Sequence, residues 1–503
     1  MRTSPPVGSA APANDGAIDG TRPVPRRLMV LGASATLGIA CIGVLIRPGP
    51  GGALLFGLPD PVEWRWGRFM ANAAGWLFVA VLVGCWLSLV RLARAGGLSV
   101  RSTGWTIGAW SVPLALGPAL FSSDIFSYAA QGQLAARGMD PYSVGPLALG
   151  ESSRFYQLSD PFWKVTPTPY GPVWVGLTKF FAQVSGHDPA ITVSLLRITQ
   201  FLSVAAIAVI MVELAKRLDA DPAVVLAIGV ANPIFMLHLI SGGHNDGLML
   251  ALLLFGLLLA IDQHRVLGSI VVGCAVAVKL PAAAGIIFIG WGWFGPATKI
   301  WRRVLGVAIA GTISTAVVAL WSWGTGLGWG WINTAVTSPT TLKTKTSPTV
   351  AVALIIRQLA RLMGVHTRPS QVVSPLAAAG VVMAIVACGV IIFRAREAVS
   401  VVSLGLALLA VAMLGPTLYP WYIVGAIGLL AFAQRPWKIA TIVVLSAVLA
   451  LVVLPSGSGI LQRIEPFGSW VMPVVIGVSV GMWWRRHRGL DPVSPTVSEP
   501  PVA

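Results

Sequence analysis

The chain has 503 residues, 55% of them hydrophobic and only 11% charged, with a net charge of +17. A soluble domain carries roughly 25% charged residues, and no aqueous fold of this length could cover so much apolar surface. The apolar residues instead form repeated runs near the roughly 20 residues that span a bilayer, and short alternating segments of the β-barrel kind are missing, so composition points to an all-α polytopic membrane protein.

Residues 1–25 are rich in Pro, Ala and Gly, lack periodicity and read as a disordered cytoplasmic tail. Arg26 and Arg27 then precede LMVLGASATLGIACIGVLI, a run longer than a signal-peptide core and without a clear cleavage site, hence a retained first helix. Membrane helices are expected near 28–46, 69–90, 104–120, 189–214, 223–240, 246–262, 267–280, 282–295, 304–322, 374–393, 399–416, 421–434, 439–454 and 468–484, roughly 13–14 crossings in one domain over 26–486. The run 171–185 reads as an interfacial or re-entrant helix, and 487–503 as a second disordered cytoplasmic tail. Cys41, Cys85, Cys274 and Cys388 lie inside apolar runs without a metal-binding spacing and read as small buried hydrophobes.

Charge orients the map. With both termini inside, each inner segment holds a basic residue, among them Arg91, Arg94, Lys216, Arg217, Arg265, Lys299, Arg303, Arg394 and Arg435. That is the positive-inside pattern of a plasma-membrane protein, and it accounts for the basic excess without nucleic acid. Two long outer loops follow, at about 121–188 and 323–373, and loops of that length are usually functional. GGHND at 242–246, Lys279 and TLYPWY at 417–422 reach the same face, so the polar chemistry gathers outside. No Walker loop or dinucleotide fingerprint stands on the inner side.

Within the first loop, Asp124, Tyr128, Gln131 and Ala135 are spaced to share one helix face. Ser122 or Ser123 can cap that helix, which puts Asp124 in the first turn, where the dipole favours a carboxylate. An ionised Asp beside a Tyr suits a general base acting on a sugar hydroxyl; the bland alternative is a helix-terminal acid at the interface. Arg137 follows on the same polar segment, and Tyr142 and Tyr170 project from Pro-rich turns as stacking platforms, although aromatic belts place such rings at interfaces for no catalytic reason. His244, Asn245 and Asp246 form a polar helical corner, with a substrate-side role or a simple cap as the two readings. Lys279 sits among apolar residues, where a lysine lines a polar path, finds an anionic partner or snorkels. Lys343, Lys345, Arg357 and Arg361 stand against the positive-inside bias, and a lipid-linked phosphate or anionic headgroups would hold them there.

The runs DIFSYAAQGQLAARGMDPYSVGP, TPYGPVW, NPIFMLHLISGGHND, AVAVKLPA and LYPWY, in this order between about residues 28 and 485, resemble the actinobacterial polyprenol-phosphate-mannose-dependent α-1,6-mannosyltransferases, integral membrane glycosyltransferases of the GT-C type. The resemblance implies a polyprenyl-phosphate mannose donor and, as acceptor, the growing mannan of lipomannan and lipoarabinomannan on a phosphatidylinositol mannoside anchor. It implies Asp124 as the base of an inverting transfer, with Tyr419 and Trp421 joining Tyr128, Gln131, Arg137, Tyr142, Tyr170, His244, Asn245 and Asp246 around the sugars. Lys279, Lys343, Lys345 and Arg357 would hold the donor phosphate. The first loop starts with a single Asp rather than a paired acidic motif, so neither a metal nor another cofactor is expected. The rival readings are another polyprenyl-phosphate-sugar-dependent transferase, such as an arabinosyltransferase, and a lipid-linked sugar transporter or flippase. The missing internal repeat and the few charges within the helices weigh against transport.

Overall fold

The computed structural model describes residues 22–46, 65–395, 399–463, 467–477 and 481. Residues 1–21 and 487–503 of the expected tails, and most of the last expected helix beyond 477, lie outside them. Among the described residues the chain is helix and connection only, with two isolated bridges, Arg22 to Leu98 and Val453 to Gly459, in place of any sheet. The protein is an all-α polytopic membrane protein.

In chain order the helices are α1 (Arg26–Ile46), α2 (Arg65–Arg94), α3 (Val100–Leu116), α4 (Asp124–Ala136), the short α5 (Arg154–Leu158), α6 (Pro172–Val184), α7 (Pro189–Arg217), α8 (Pro222–Ile228), α9 (Asp246–Ile261), α10 (Arg265–Val276), α11 (Ala283–Trp291), α12 (Ile300–Gly324), α13 (Gly330–Thr341), α14 (Pro348–Leu362), α15 (Pro369–Arg394), α16 (Val401–Leu414), α17 (Val424–Leu430) and α18 (Pro436–Val452). Five spans among the described residues are long and apolar enough to cross a bilayer alone: α1, α2 from Phe69, α7, α12 and α15. A sixth is a bent pair, Phe235–Ser241 with α9, turning through 109°. Several of the expected crossings are therefore shorter or broken helices. The run 223–240 shows why. Pro233 has no N–H to continue the ladder, so Asn232 takes over its ends: its amide donates to Ile228 O (3.1 Å) and Ser446 Oγ (3.0 Å), and its Oδ1 accepts from the Ile234 N–H at 2.9 Å. Such breaks survive at membrane depth only inside protein, and Asn232 is completely buried.

The first long connection folds inwards rather than over the surface. α3 stops at Gly117, and its open carbonyls at Leu114 and Gly117 accept from the buried Arg197 guanidinium of α7, a charge-assisted cap for a helix end. Every residue of α4 from Ile125 to Ala135 is buried. Its polar side chains find partners inside the protein: Ser127 Oγ accepts from the Asp160 N–H (3.1 Å), Gln131 Oε1 accepts from Thr168 Oγ1 (3.0 Å) while its Nε2 is buried without a partner, and Gln133 Oε1 lies 2.9 Å from His187 Nδ1. Gly132 allows this packing, since a Cβ there would come within 2.4 Å of Thr178 O on α6.

At the far end of the same helices the basic residues collect. Arg217 closes α7 and pairs with Glu213 (2.9 Å) and with Asp262 just beyond α9 (2.7 Å). The 16 residues of α9 separate that ionic cluster from Asp246 by about 24 Å at 1.5 Å per residue.

Candidate active site

Asp124 stands at the start of α4, in the connection between α3 and α7, outside the membrane-spanning helices. Ser122 Oγ accepts from its N–H at 3.1 Å, which is how the serine-rich entry caps the helix, while Ser123 makes no side-chain cap bond. The residue before the pair, Phe121, is held at φ 65°, with its N–H on Pro455 O at 2.9 Å and its ring buried. A non-glycine residue in this left-handed region costs roughly 1–3 kcal/mol, a strain that clusters at functional sites.

The Asp124 carboxylate is hydrogen-bonded on one oxygen, has His244 near the other, and remains 14% exposed. Trp163 Nε1 donates to Oδ1 at 3.1 Å, and His244 Nδ1 lies 3.7 Å from Oδ2. Tyr128 OH is 3.4 Å from the same His244 nitrogen. His244 stacks on Trp421 (centroids 3.9 Å apart, 19°), and Trp421 stacks on Tyr419 (4.6 Å, 7°). Three parallel rings thus fix one wall beside the carboxylate. Burial first, and the neighbouring Asp160 charge second, push the Asp124 carboxyl up to about 7; the Trp163 hydrogen bond and the Lys279 charge act against them. A carboxyl poised there can exchange a proton near neutral pH.

The exposed edge of Asp124 opens into a cavity of about 1060 Å³. Asp160, Trp163, Tyr170 and Tyr422 share its polar part, with the ion pair of Lys279 and Asp246 (2.7 Å). The remaining wall changes character. Val381, Ala384, Ile385 and Ile392 of α15 and Leu408 and Val411 of the neighbouring α16 add an apolar surface to the same space, whose lining also includes Lys345, Thr344, Thr346 and Thr417. A site with a few polar groups at one end and a long apolar wall suits an amphiphile. Among the described residues no three His, Cys, Asp or Glu side chains converge as a metal set would.

The residues singled out in the sequence separate into three groups. Asp124, Tyr170, Asp246, Lys279, Lys345, Tyr419 and Trp421 line the cavity. Tyr128, Gln131, His244 and Asn245 are buried behind it; Tyr128 packs edge-on against Tyr170 and Trp174 (5.1 and 5.3 Å), and His244 braces Asp124. Arg137, Tyr142, Lys343 and Arg357 stand apart from the lining. Arg137 caps the other end of α4, Tyr142 is buried against Gly330, Lys343 donates to Ser374 Oγ at 2.8 Å, and Arg357 lies on α14. Asp160, Trp163 and Tyr422 were not anticipated. Tyr422 belongs to the LYPWY run, and SDPFW at 159–163 carries an acid before a turn-forming Pro and then an aromatic pair, a signal of the same kind as the Pro-Tyr turns.

A polytopic helical protein whose cavity joins a carboxylate and a lysine to an apolar surface has the make-up of a membrane enzyme acting on an amphiphile. The family description "Alpha-(1->6)-mannopyranosyltransferase, N-terminal domain" matches residues 29–295, and "MptB C-terminal domain" matches residues 348–480. The chain is 29% identical over 494 residues to alpha-(1->6)-mannopyranosyltransferase A of Mycobacterium tuberculosis, covering 93% of each protein. It is also 29% identical over 449 residues to alpha-(1->6)-mannopyranosyltransferase B of Corynebacterium glutamicum, covering 82% of this chain and 72% of that one. No solved structure matches. The chain belongs to the alpha-(1->6)-mannopyranosyltransferase family.

Proposed function

We propose that the protein transfers mannose from polyprenyl-phosphate mannose to the growing α-1,6-mannan of lipomannan and lipoarabinomannan, with inversion at the anomeric carbon, on the outer face of the plasma membrane. Asp124 takes the proton of the acceptor 6-hydroxyl as its oxygen attacks the anomeric carbon. The bond from that carbon to the phosphate oxygen breaks, and the electron pair leaves with the phosphate. Lys279 and Lys345 neutralise the charge that develops there, an electrostatic service that a phosphate leaving group needs more than protonation. The polyprenyl chain lies along α15 and α16, and Trp163, Tyr170 and Tyr419 offer ring surface to the sugars, with Trp421 holding Tyr419 in place.

The observation that carries this reading is the single cavity in which Asp124 and Lys279 share a polar end that continues into an apolar wall. A free sugar nucleotide would have no use for that wall. Charge supports the outer location: Lys216 and Arg217 end α7, Arg302 and Arg303 open α12, and basic ends face the cytoplasm, which in this reading holds both termini.

Membranes carrying wild-type protein or Asp124→Asn, supplied with labelled polyprenyl-phosphate mannose and a short α-1,6-mannoside, test it. Wild type should extend the acceptor and Asp124→Asn, present at equal level, should fall by about a hundred- to ten-thousandfold, the range for loss of a general base. Equal rates remove Asp124 as base. No transfer by wild type removes the donor assignment.

A further inference from the structure

Lys279 is not a free cation. Its ammonium is 2.7 Å from Asp246 Oδ2 and lies 5.7 and 5.4 Å from the ring centroids of Tyr170 and Tyr422. The Lys279 and Asp246 side chains are 14% and 5% exposed, and both line the cavity. The two rings hold the ammonium at the wall without cancelling its charge; Asp246 does cancel it. A lysine whose whole task is to attract phosphate would be stronger unpaired, so the carboxylate calls for an explanation of its own.

The reaction supplies one, given the transferase reading above. Acceptor oxygen bonds to the anomeric carbon, the carbon–oxygen bond to phosphate breaks, the hydroxyl proton passes to Asp124, and no other reactant enters. The donor is a phosphodiester with one negative charge. The product left in the cavity is a phosphomonoester, with about −1.5 to −2 charges at neutral pH. A cation that helps the phosphate leave the sugar therefore grips the product harder than the donor, and the enzyme would stall on its own product. A fixed negative charge beside that cation repels a ligand in proportion to the ligand's charge, so it acts most on the monoester.

We propose that Asp246, held on Lys279, is a release residue: its carboxylate offsets the extra charge of the polyprenyl phosphate product and lets it leave, while the singly charged donor is little affected. Asp246 acts through Lys279 rather than on the reacting atoms, and is a positioning residue.

The test compares geranyl phosphate with its methyl ester, a matched monoester and diester, by titrating the tryptophan fluorescence of the purified full-length enzyme and by inhibition of transfer. In wild type the two should bind within about threefold of each other, because the pair presents little net charge. In Asp246→Asn the monoester should bind about tenfold tighter and the diester only about threefold, and transfer should show a burst of one turnover followed by a slow steady rate. Asp246→Glu, which keeps the charge, should restore the wild-type ratio. A purely structural role would weaken both ligands together and leave their ratio unchanged, which overturns the proposal. So does a wild-type preference of about tenfold for the monoester, even if Asp246→Asn fails to accumulate. The expected binding ratios in a protein that transfers no mannose would leave the charge pair intact and sink the transferase reading instead.

Discussion

The two long connections of this chain behave in opposite ways. The first, between α3 and α7, turns into the protein. Its helix α4 is buried on every side, and its turns bring Asp124, Asp160, Trp163 and Tyr170 to one cavity. The second, between α12 and α15, remains largely outside. α14 buries only one face and leaves Leu362 and Met363 at 84% and 75% exposure, and of its basic residues Lys345 alone lines the cavity. Polarity does not distinguish the two connections, since Thr344, Thr346 and Ser347 of the second also bond within the protein. What does is enclosure: α4 is covered by α6 and α7, whereas α14 keeps one face exposed. Gln131, Gln133 and Ser127 each find a partner inside the protein, which lowers the cost of burying a polar helix, with the Gln131 amide nitrogen left unpaired.

The sharpest way to break this contrast is to remove the cation on which the first connection converges. Lys279→Gln alone would strand the Asp246 carboxylate, and an unpaired buried charge costs roughly 3–5 kcal/mol. The clean variant is therefore Lys279→Gln with Asp246→Asn, which keeps a neutral hydrogen bond. Its kcat/KM for mannosyl transfer should fall about a hundred- to a thousandfold, as for loss of one preorganised charge-stabilising group. A loss under tenfold would move the phosphate to the second connection.

A smaller effect is carried by pH. Asp124 must be ionised to accept a proton, so kcat/KM should rise with pH through about 7 and level off above it, with activity lost as the carboxyl protonates below. The charges acting on it are Asp160 and Asp246, which raise its pKa, and Lys279, which lowers it. Asp160→Asn removes one raising influence, so the inflection should move to lower pH and activity at acid pH should improve relative to wild type. An unmoved inflection would mean that Asp160 faces the sugars without coupling to the base.

The smallest effects should come from the second connection. Lys345→Ala should lower kcat about fivefold, the effect of losing one group that meets the developing charge, whereas Lys343→Ala and Arg357→Ala, which stand apart from the cavity, should stay within about twofold. Equal and large losses from all three would show that the second connection closes over the donor.

Much of this was legible along the chain because it is local. Apolar run length marks a membrane protein, and a Ser-Ser-Asp entry marks a helix start with an acid in its first turn. Each depends on residues within a turn or two of one another. The cavity depends on distances the chain does not display. Asp246 and Lys279 are 33 positions apart, Asp124 and Trp163 39 positions. Tyr128 and Gln131 look like residues facing water or sugar because a polar helix has the same composition whether its partners are solvent or protein, and only packing against α6 and α7 reveals which. The apolar wall of α15 and α16 is equally silent in sequence, since a side chain facing lipid and one facing a lipid-binding cavity are chosen by the same hydrophobicity. The amino-acid sequence thus determined the class and placed an acid in the first turn of a helix, through composition and short-range propensity. Tertiary structure decided which residues stand beside that carboxylate, because that is settled by the contacts between remote helices.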